Sequence, residues 1–355
     1  MKQSCILIPA LEPKKDLIGY IHQLLENEIG HIVVVNDGSN DTYDEIFNTV
    51  DKIERCTVLK HEQNRGKGVA LKTGFSYIQS HLLDCEQVIC ADCDGQHSIE
   101  DIVALEQELY RKPEAIVLGS RNFSFRQAPW KSWIGNRCSS FFFMLLSGKW
   151  IPDTQTGLRG FQRKHLEFLQ KIEGERFEYE MNMLMECIEK KMNLQFIPIK
   201  TIYHNKNEGT HFRAIQDSYL IGKVLLKDFI KFLSSSVLCA VLDVFLFYLV
   251  IQLLKNGEVS SSFLQVFVGT AVARSISMVC NYMINKKVIF RSDKTPFSFL
   301  GYLGLCVFIL GSSSVLVYIT SFILHIPEVF CKIGVDGMLS FVSYYVQKNW
   351  IFKRK

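Results

Sequence analysis

The chain has 355 residues, 48% of them hydrophobic, and a formal net charge of +4 that conceals two unlike parts. Residues 1–228 carry 28 Lys and Arg against 31 Asp and Glu, a balance of −3; residues 229–355 carry 12 against 5, a balance of +7, and are mostly apolar. The first part has no basic cluster with interleaved aromatics, so nothing points to nucleic acid as a partner, and the expected organisation is a soluble domain followed by a membrane domain.

In chain order, Met1-Lys2-Gln3-Ser4 leads into an apolar run too short for the core of a secretory signal, so the first part is expected in the cytoplasm. The eleven scattered cysteines then read as reduced core residues. Cys90-Ala91-Asp92-Cys93 lacks a second Cys/His pair to complete a zinc site. Short β-rich runs at 5–9, 31–36, 57–60, 87–91 and 115–119 alternate with amphipathic segments at 16–28, 42–53, 66–81 and 98–110. That alternation predicts an α/β domain with a mostly parallel sheet covered on both faces, binding its ligands at the carboxyl ends of the strands.

Beyond Gly119 an apolar, aromatic helix is expected over 130–146, carrying Lys131 and Arg137. A polar loop follows at 153–161, then helices at 163–171 and 178–191 and a last strand at 195–203. Segment 215–231 is amphipathic, with Lys223, Lys227 and Lys231 at every fourth position, and reads as an interfacial helix leading into a span. Apolar stretches at 229–254, 263–284, 299–324 and 329–346 are each near or above the roughly 20 residues that cross a bilayer, the last marginally. Lys286, Lys287, Arg291 and Lys294 follow the second stretch, and Lys348, Lys353, Arg354 and Lys355 follow the fourth, while the alternate connections carry little charge. The positive-inside rule puts both basic segments, and with four spans the first domain, in the cytoplasm. Residues 281–290 repeat at 343–352, a spacing of 62, which suggests two duplicated helical hairpins.

The chemistry is expected where polar loops follow strands. Asp92-x-Asp94 directly follows the fourth run, and paired carboxylates there can hold a hard cation, Mg2+ or Mn2+, that also ligates a diphosphate; Gln96 could add an oxygen. The alternative is a solvated acidic turn. Pro9-Ala10-Leu11-Glu12-Pro13 follows the first run. Asn36-Asp37-Gly38-Ser39 follows the second, with Asp37 able to accept hydrogen bonds from a base. Asn64-Arg65-Gly66-Lys67-Gly68 follows the third and opens a helix, where backbone N–H groups and Lys67 suit phosphate. Asp153, in the 153–161 loop, is a candidate for orienting or basic duty.

Taken together, these pieces, with Gly119-Ser120-Arg121 and Asp153-Thr154-Gln155-Thr156-Gly157-Leu158-Arg159-Gly160-Phe161, make residues 4–213 resemble a family 2 glycosyltransferase of the GT-A fold, of the dolichyl-phosphate mannose synthase and bacterial GtrB type. The resemblance implies nucleotide contacts from Pro9, Ala10, Asp37, Lys67 and Asp92, and metal ligation by Asp94 and Gln96 with Asp92 nearby. It implies that Arg121 and Arg137 face phosphates of donor or acceptor, with Lys131 beside them on the acceptor side. Glu12, followed by Pro13, stands where the family has Asn-Glu and takes the ribose-contact position. Residues 229–352 resemble the GtrA-like four-helix family, whose members are thought to help move a lipid-linked sugar across the bilayer. Asp243 and Arg274 within the spans are expected to be functional or mutually paired.

The expected protein is therefore a GT-A domain over 1–213, an interfacial linker over 214–228 and a multi-pass domain over 229–355 in the cell membrane. Its expected reaction is inverting, metal-dependent transfer of a sugar from a UDP- or GDP-sugar to a polyprenyl (undecaprenyl) phosphate, serving cell-envelope polysaccharide or teichoic acid. Asp94, Asp153 and Arg121 are the catalytic candidates, and assembly into a homo-oligomer is expected from the resemblance. Direct transfer to a wall polymer, and a mainly transporting or scaffolding role, are the alternatives.

Overall fold

The computed structural model describes residues 3–27, 29–121, 130–200, 214–256, 262–292, 297–325 and 327–352. Residues 201–213, Glu258, Lys294 and 353–355 lie outside the described residues. The chain forms two compact units, Met1–Val224 and Leu225–Lys355.

The first unit is built on a seven-stranded sheet in the order β3-β2-β1-β4-β6-β5-β7. The strands are β1 (Gln3–Ala10), β2 (His31–Asn36), β3 (Cys56–Lys60), β4 (Cys85–Cys90), β5 (Ala115–Arg121), β6 (Arg159–Gln162) and β7 (Asn193–Ile199). All pairings are parallel except those of β6, which runs antiparallel to β4 and β5. The central strands are near-continuous apolar runs because helices cover both faces: Ile6, Leu7, Ile8, Val33, Val34, Val35, Val88 and Ile89 are all fully buried. Helices α1 (Asp16–Glu26), α2 (Asp44–Asp51), α3 (Lys67–His81) and α4 (Ile99–Arg111) connect them. α1 and α4 pack Leu17, Ile21, Leu24, Ile102 and Leu105 onto the sheet. Each such side chain contributes about 1.5–3 kcal/mol by leaving water. α3 lies so close to β1 that a Cβ on Gly74 would fall 2.1 Å from Leu7 Cδ1.

The register aligns the strand ends. Ala10 pairs with Asn36, and Asn36 with Lys60. The Asp37 N–H donates to Ala10 O and the His61 N–H to Asn36 O, both at 2.9 Å, and the Ala91 N–H donates to Leu7 O at 3.1 Å. The loops after β1, β2, β3 and β4 therefore open side by side.

The remaining elements are α5 (Trp130–Ser147), α6 (Leu166–Gln170) and α7 (Glu178–Glu189). Two expectations change here. Residues 159–162, read as the end of a polar loop, form the antiparallel strand β6. The helix expected over 163–171 is a 3-10 turn followed by the five-residue α6.

The second unit continues α8 (Ala214–Asn256) and adds α9 (Ser262–Ile284), α10 (Phe297–Leu324) and α11 (Glu328–Val346). The segment read as an interfacial helix and the first apolar stretch are one continuous helix of 43 residues. Among the described residues, three helices are long and apolar enough to cross a membrane: Gln216–Lys255, Phe263–Ile289 and Ser298–Ile323. Leu238, Val241, Val244 and Phe308 stand 60–68% exposed on them, a surface that water does not tolerate and lipid does. α11 has 19 residues and carries Lys332 and Asp336, which pair at 2.9 Å.

The sequence repeat returns in the geometry. α9 and α11 each end in a π-helical turn, Asn285–Ile289 and Gln347–Ile351. Asn285 Nδ2 donates to Gln347 Oε1 at 3.0 Å, and Phe290 stacks on Phe352 at 5.5 Å. Nine cysteines are free, several of them buried as expected. Cys5 and Cys85, at the starts of β1 and β4, face each other across the sheet with Cα atoms 6.0 Å apart.

Candidate active site

The loop after β4 and the first turn of α3 meet around Asp92. Lys67, the first residue of α3, places Nζ 2.8 Å from Asp92 Oδ1 and 3.0 Å from Glu180 Oε1 on α7. Asp92 Oδ2 faces His97 Nε2 at 3.4 Å. Burial alone would disfavour the charge on Lys67, but the Asp92 and Glu180 carboxylates outweigh it and raise its pKa. Burial likewise opposes ionisation of Asp92, and Lys67 and His97 overcome it and hold the carboxyl below the usual range. Asp94 moves the other way: desolvation by the surrounding loop, then the charge of Asp92, raise it. Its Oδ1 accepts the Gln96 N–H at 3.0 Å across the turn made by Gly95 at φ 70°. Gly157 abuts the Asp92 carboxylate, so that a Cβ there would lie 2.1 Å from Asp92 Oδ2.

The loops after β1, β2 and β3 form a second cluster. Asp37 is 4% exposed and its carboxylate accepts three hydrogen bonds: His61 Nδ1 at 2.7 Å and the Arg65 N–H at 3.0 Å on Oδ1, and the Gly66 N–H at 2.7 Å on Oδ2. Asn36 Oδ1 accepts the Ser39 N–H at 2.8 Å, and Ser39 Oγ accepts the Glu12 N–H at 2.9 Å. Glu12 itself is exposed, in the left-handed region at φ 47°, and Pro9 and Ala10 are buried at the end of β1. The predicted donor-side residues thus fall on adjacent strand ends, with Asp37 tying the loop that precedes Lys67.

A third cluster lies beside β5. Arg121, its last residue, makes a two-pronged contact with Asp153, Nε to Oδ2 at 2.7 Å and Nη2 to Oδ1 at 3.0 Å. The Asp153 side chain is fully buried and also accepts the Gln155 N–H. Arg121 lines a cavity of about 310 Å³ with Asn136, Arg137, Trp150, Phe196 and Pro198. Arg137 sits over the Trp150 ring at 6.0 Å. Asn136 donates to Pro152 O at 2.8 Å, and its buried Oδ1 has no partner among the described residues. Lys131 is in the first turn of α5, and its side chain lies outside the described residues.

Among the described residues no three His, Cys, Asp or Glu side chains group as a metal cage. Mg2+ does not require one, since it is commonly held by one or two carboxylates with substrate phosphates completing the shell. The donors here are carboxylate and amide oxygens, and the neighbouring charges of Asp92 and Asp94 suit a hard divalent cation. The set therefore fits the expected group.

Glu180, His61 and Arg159 carry no functional expectation from the sequence. Arg159 is 2% exposed and donates from Nη1 to Glu180 O at 2.9 Å, buttressing the residue that holds Lys67. His61 follows β3 as Asp37 and Asp92 follow their strands, and that position was the available signal.

A mostly parallel sheet with one antiparallel strand, and an acidic pair facing a helix-start lysine at its strand ends, is the GT-A arrangement of a glycosyltransferase. Residues 5–169 match the family Glycosyl transferase family 2, and residues 231–352 match GtrA/DPMS, transmembrane domain. The chain belongs to the family 2 glycosyltransferases and joins that catalytic domain to a membrane domain of the GtrA/DPMS type. It is 30% identical over 215 residues to UDP-N-acetylglucosamine--dolichyl-phosphate N-acetylglucosaminyltransferase of Methanococcus voltae, covering 56% of this chain and 85% of that one. To dolichyl-phosphate beta-glucosyltransferase of Saccharomyces cerevisiae it is 26% identical over 217 residues, 55% of this chain and 63% of that one. Among solved structures, mannosyl-3-phosphoglycerate synthase of Rubrobacter xylanophilus aligns at TM-score 0.48 and 14% identity, over 64% of this chain and 74% of that one.

Proposed function

We propose that this enzyme moves a sugar from a UDP- or GDP-sugar to a polyprenyl phosphate with inversion at the anomeric carbon. The observation that carries the reading is the cavity beside β5, where Arg121 and Arg137 converge. It offers a second anion site besides the Lys67–Asp92 cluster. Two anions must meet in this reaction, and each cluster suits one. The names of the archaeal and yeast relatives, both specifying dolichyl phosphate, support a polyprenyl acceptor.

Lys67, at the start of α3, binds the donor diphosphate, and Asp37 holds the loop that presents it. Asp94 and Gln96, with Asp92 beside them, would hold a Mg2+ or Mn2+ ion, which when bound would supply positive charge to the leaving nucleoside diphosphate. The acceptor phosphate lies against Arg121 and Arg137, with the Trp150 and Phe196 rings able to take apolar chain. An acceptor phosphate oxygen attacks the anomeric carbon, the bond from that carbon to the diphosphate oxygen breaks, and the electron pair leaves with the nucleotide. A phosphate is already ionised at neutral pH and needs no strong base, so catalysis rests on positioning and electrostatics. Asp153, buried with both oxygens engaged, aims Arg121 rather than accepting a proton. The membrane unit anchors the enzyme in the cell membrane through four spans, with both chain ends cytoplasmic.

The test is the full chain purified in detergent, incubated with undecaprenyl phosphate and a panel of UDP- and GDP-sugars, and read by mass spectrometry of the extracted lipid. One glycosylated polyprenyl phosphate should form, and Asp94→Ala should abolish it. Undiminished product from Asp94→Ala overturns the site, and sugar appearing only in polymer overturns the acceptor.

A further inference from the structure

His61 lies outside every motif that marked the donor site, yet its ring is fixed from both sides. It is the residue after β3, its backbone N–H already committed to Asn36 O. Its side chain is 6% exposed, with Nδ1 2.7 Å from Asp37 Oδ1 and Nε2 3.0 Å from Thr73 Oγ1 on α3. A carboxylate oxygen only accepts and a threonine hydroxyl can donate. One tautomer, Nδ1–H with a lone pair on Nε2, therefore satisfies both contacts.

Asp37 in turn holds the Arg65 and Gly66 N–H groups. Gly66 turns at φ 98°, and a Cβ there would meet Glu175 O at 2.4 Å, so the turn has no slack. The next residue is Lys67, whose ammonium reaches Asp92. The contacts run unbroken from the imidazole through the buried carboxylate and the turn to the lysine. Gly38 closes this arrangement from the other side, since a Cβ on it would fall 2.1 Å from the Gln63 carbonyl carbon.

We propose that His61 is a positioning residue for the nucleotide-sugar: it touches no reacting atom, and through Asp37 it fixes the loop that sets Lys67 for the diphosphate. The inference rests on the reading of this cluster as the donor site. Without the imidazole, Asp37 keeps its two backbone donors among the described residues and loses the strut to α3. The loop and Lys67 then sample positions that the donor must pay to reorder. The loss falls on donor binding, while the acceptor cavity and the departing bond are unaffected.

The experiment is calorimetric titration of UDP and GDP, with steady-state kinetics, on the full chain in detergent as wild type, His61→Ala, His61→Asn and His61→Gln. The Asn amide nitrogen can take the place of Nδ1 and restore the link to Asp37; the Gln amide reaches instead toward Thr73. His61→Ala should weaken nucleotide binding and raise donor KM about tenfold or more, the size of one hydrogen bond to a buried charge, with kcat within about threefold. His61→Asn should recover most of that loss and His61→Gln should not. Equal behaviour of the Asn and Gln variants, or a fall in kcat at unchanged KM, overturns the proposal. So does wild-type nucleotide affinity in His61→Ala. If wild type binds neither UDP nor GDP, the donor-site reading itself fails and takes this inference with it.

Discussion

Asp92 is held from three directions, and the one most open to test is the one with no side chain. Lys67 and His97 reach it through polar atoms, and Gly157 simply leaves room. A methyl on Gly157 would stand 2.1 Å from Asp92 Oδ2, so either the carboxylate or the 153–158 loop must move. Overpacking of this kind costs about 1–3 kcal/mol, and here it falls on the group that orients Lys67. Gly157→Ala is expected to weaken nucleotide binding about tenfold or more while the chain stays folded. Titration beside a thermal melt checks this, and unchanged affinity would mean that the loop yields instead. The acidic pair was legible in the sequence because its members are two residues apart at a strand end. Glu180 was not, because it sits 113 positions after Lys67, at Glu180 and Lys67 of the chain, in a helix whose pattern looks like ordinary amphipathic packing. Nothing local marks a contact made by tertiary structure.

At the scale of elements, the strands and helices of the parallel half were legible because each carries its own periodicity or apolar run. β6 was not: four residues, one of them Gly160, are too few for a periodic signal. Its strand character comes from its neighbours β4 and β5, and Gly160 is there because a Cβ would strike Leu105 Cδ2 at 2.3 Å. The turn after β6 does a further job. Arg163 Nη1 donates to Leu82 O at 2.7 Å and Cys85 O at 3.1 Å, and Nη2 donates to Gln79 O at 2.6 Å. These carbonyls lie at and just beyond the C-terminus of α3, where helix carbonyls lack intrahelical partners and the dipole favours a cation. Arg163→Ala should destabilise the enzyme by about 1–3 kcal/mol. Arg163→Lys should recover only part of this, because one ammonium cannot span the positions that a planar guanidinium reaches. Thermal or urea midpoints of the three proteins decide it, and a Lys variant equal to wild type would show that charge alone suffices.

At the scale of the whole molecule, the number of crossings turns on α11. Its 19 residues span about 28 Å at 1.5 Å per residue, close to the roughly 30 Å of a hydrocarbon core. It carries a charged pair, yet Lys332 and Asp336 neutralise each other, and Ser313 on α10 donates to Asp336 at 2.6 Å. Asp243 and Arg274 likewise pair at 3.4 Å, with Ser277 donating to Asp243 at 3.0 Å. Charges so partnered are tolerated within a membrane more readily than single ones. The repeat supplies an argument independent of hydropathy. The Asn285–Gln347 hydrogen bond and the Phe290–Phe352 stack put the ends of α9 and α11 at one level. A helix that ends level with α9, after α10 has run back, is placed as a fourth crossing would be, which is the expectation that reporter fusions test. In the proposed topology the basic residues after both ends, Lys286 and Lys287 in one and Lys348 in the other, are expected on the cytoplasmic side by the positive-inside rule. Green fluorescent protein joined after residue 292 and after residue 355 should therefore fluoresce in both fusions, and alkaline phosphatase at those points should be inactive. Phosphatase joined after Leu324 should be active. An active phosphatase at residue 355 with an inactive one at 292 would leave α11 on the membrane surface and reduce the crossings to three.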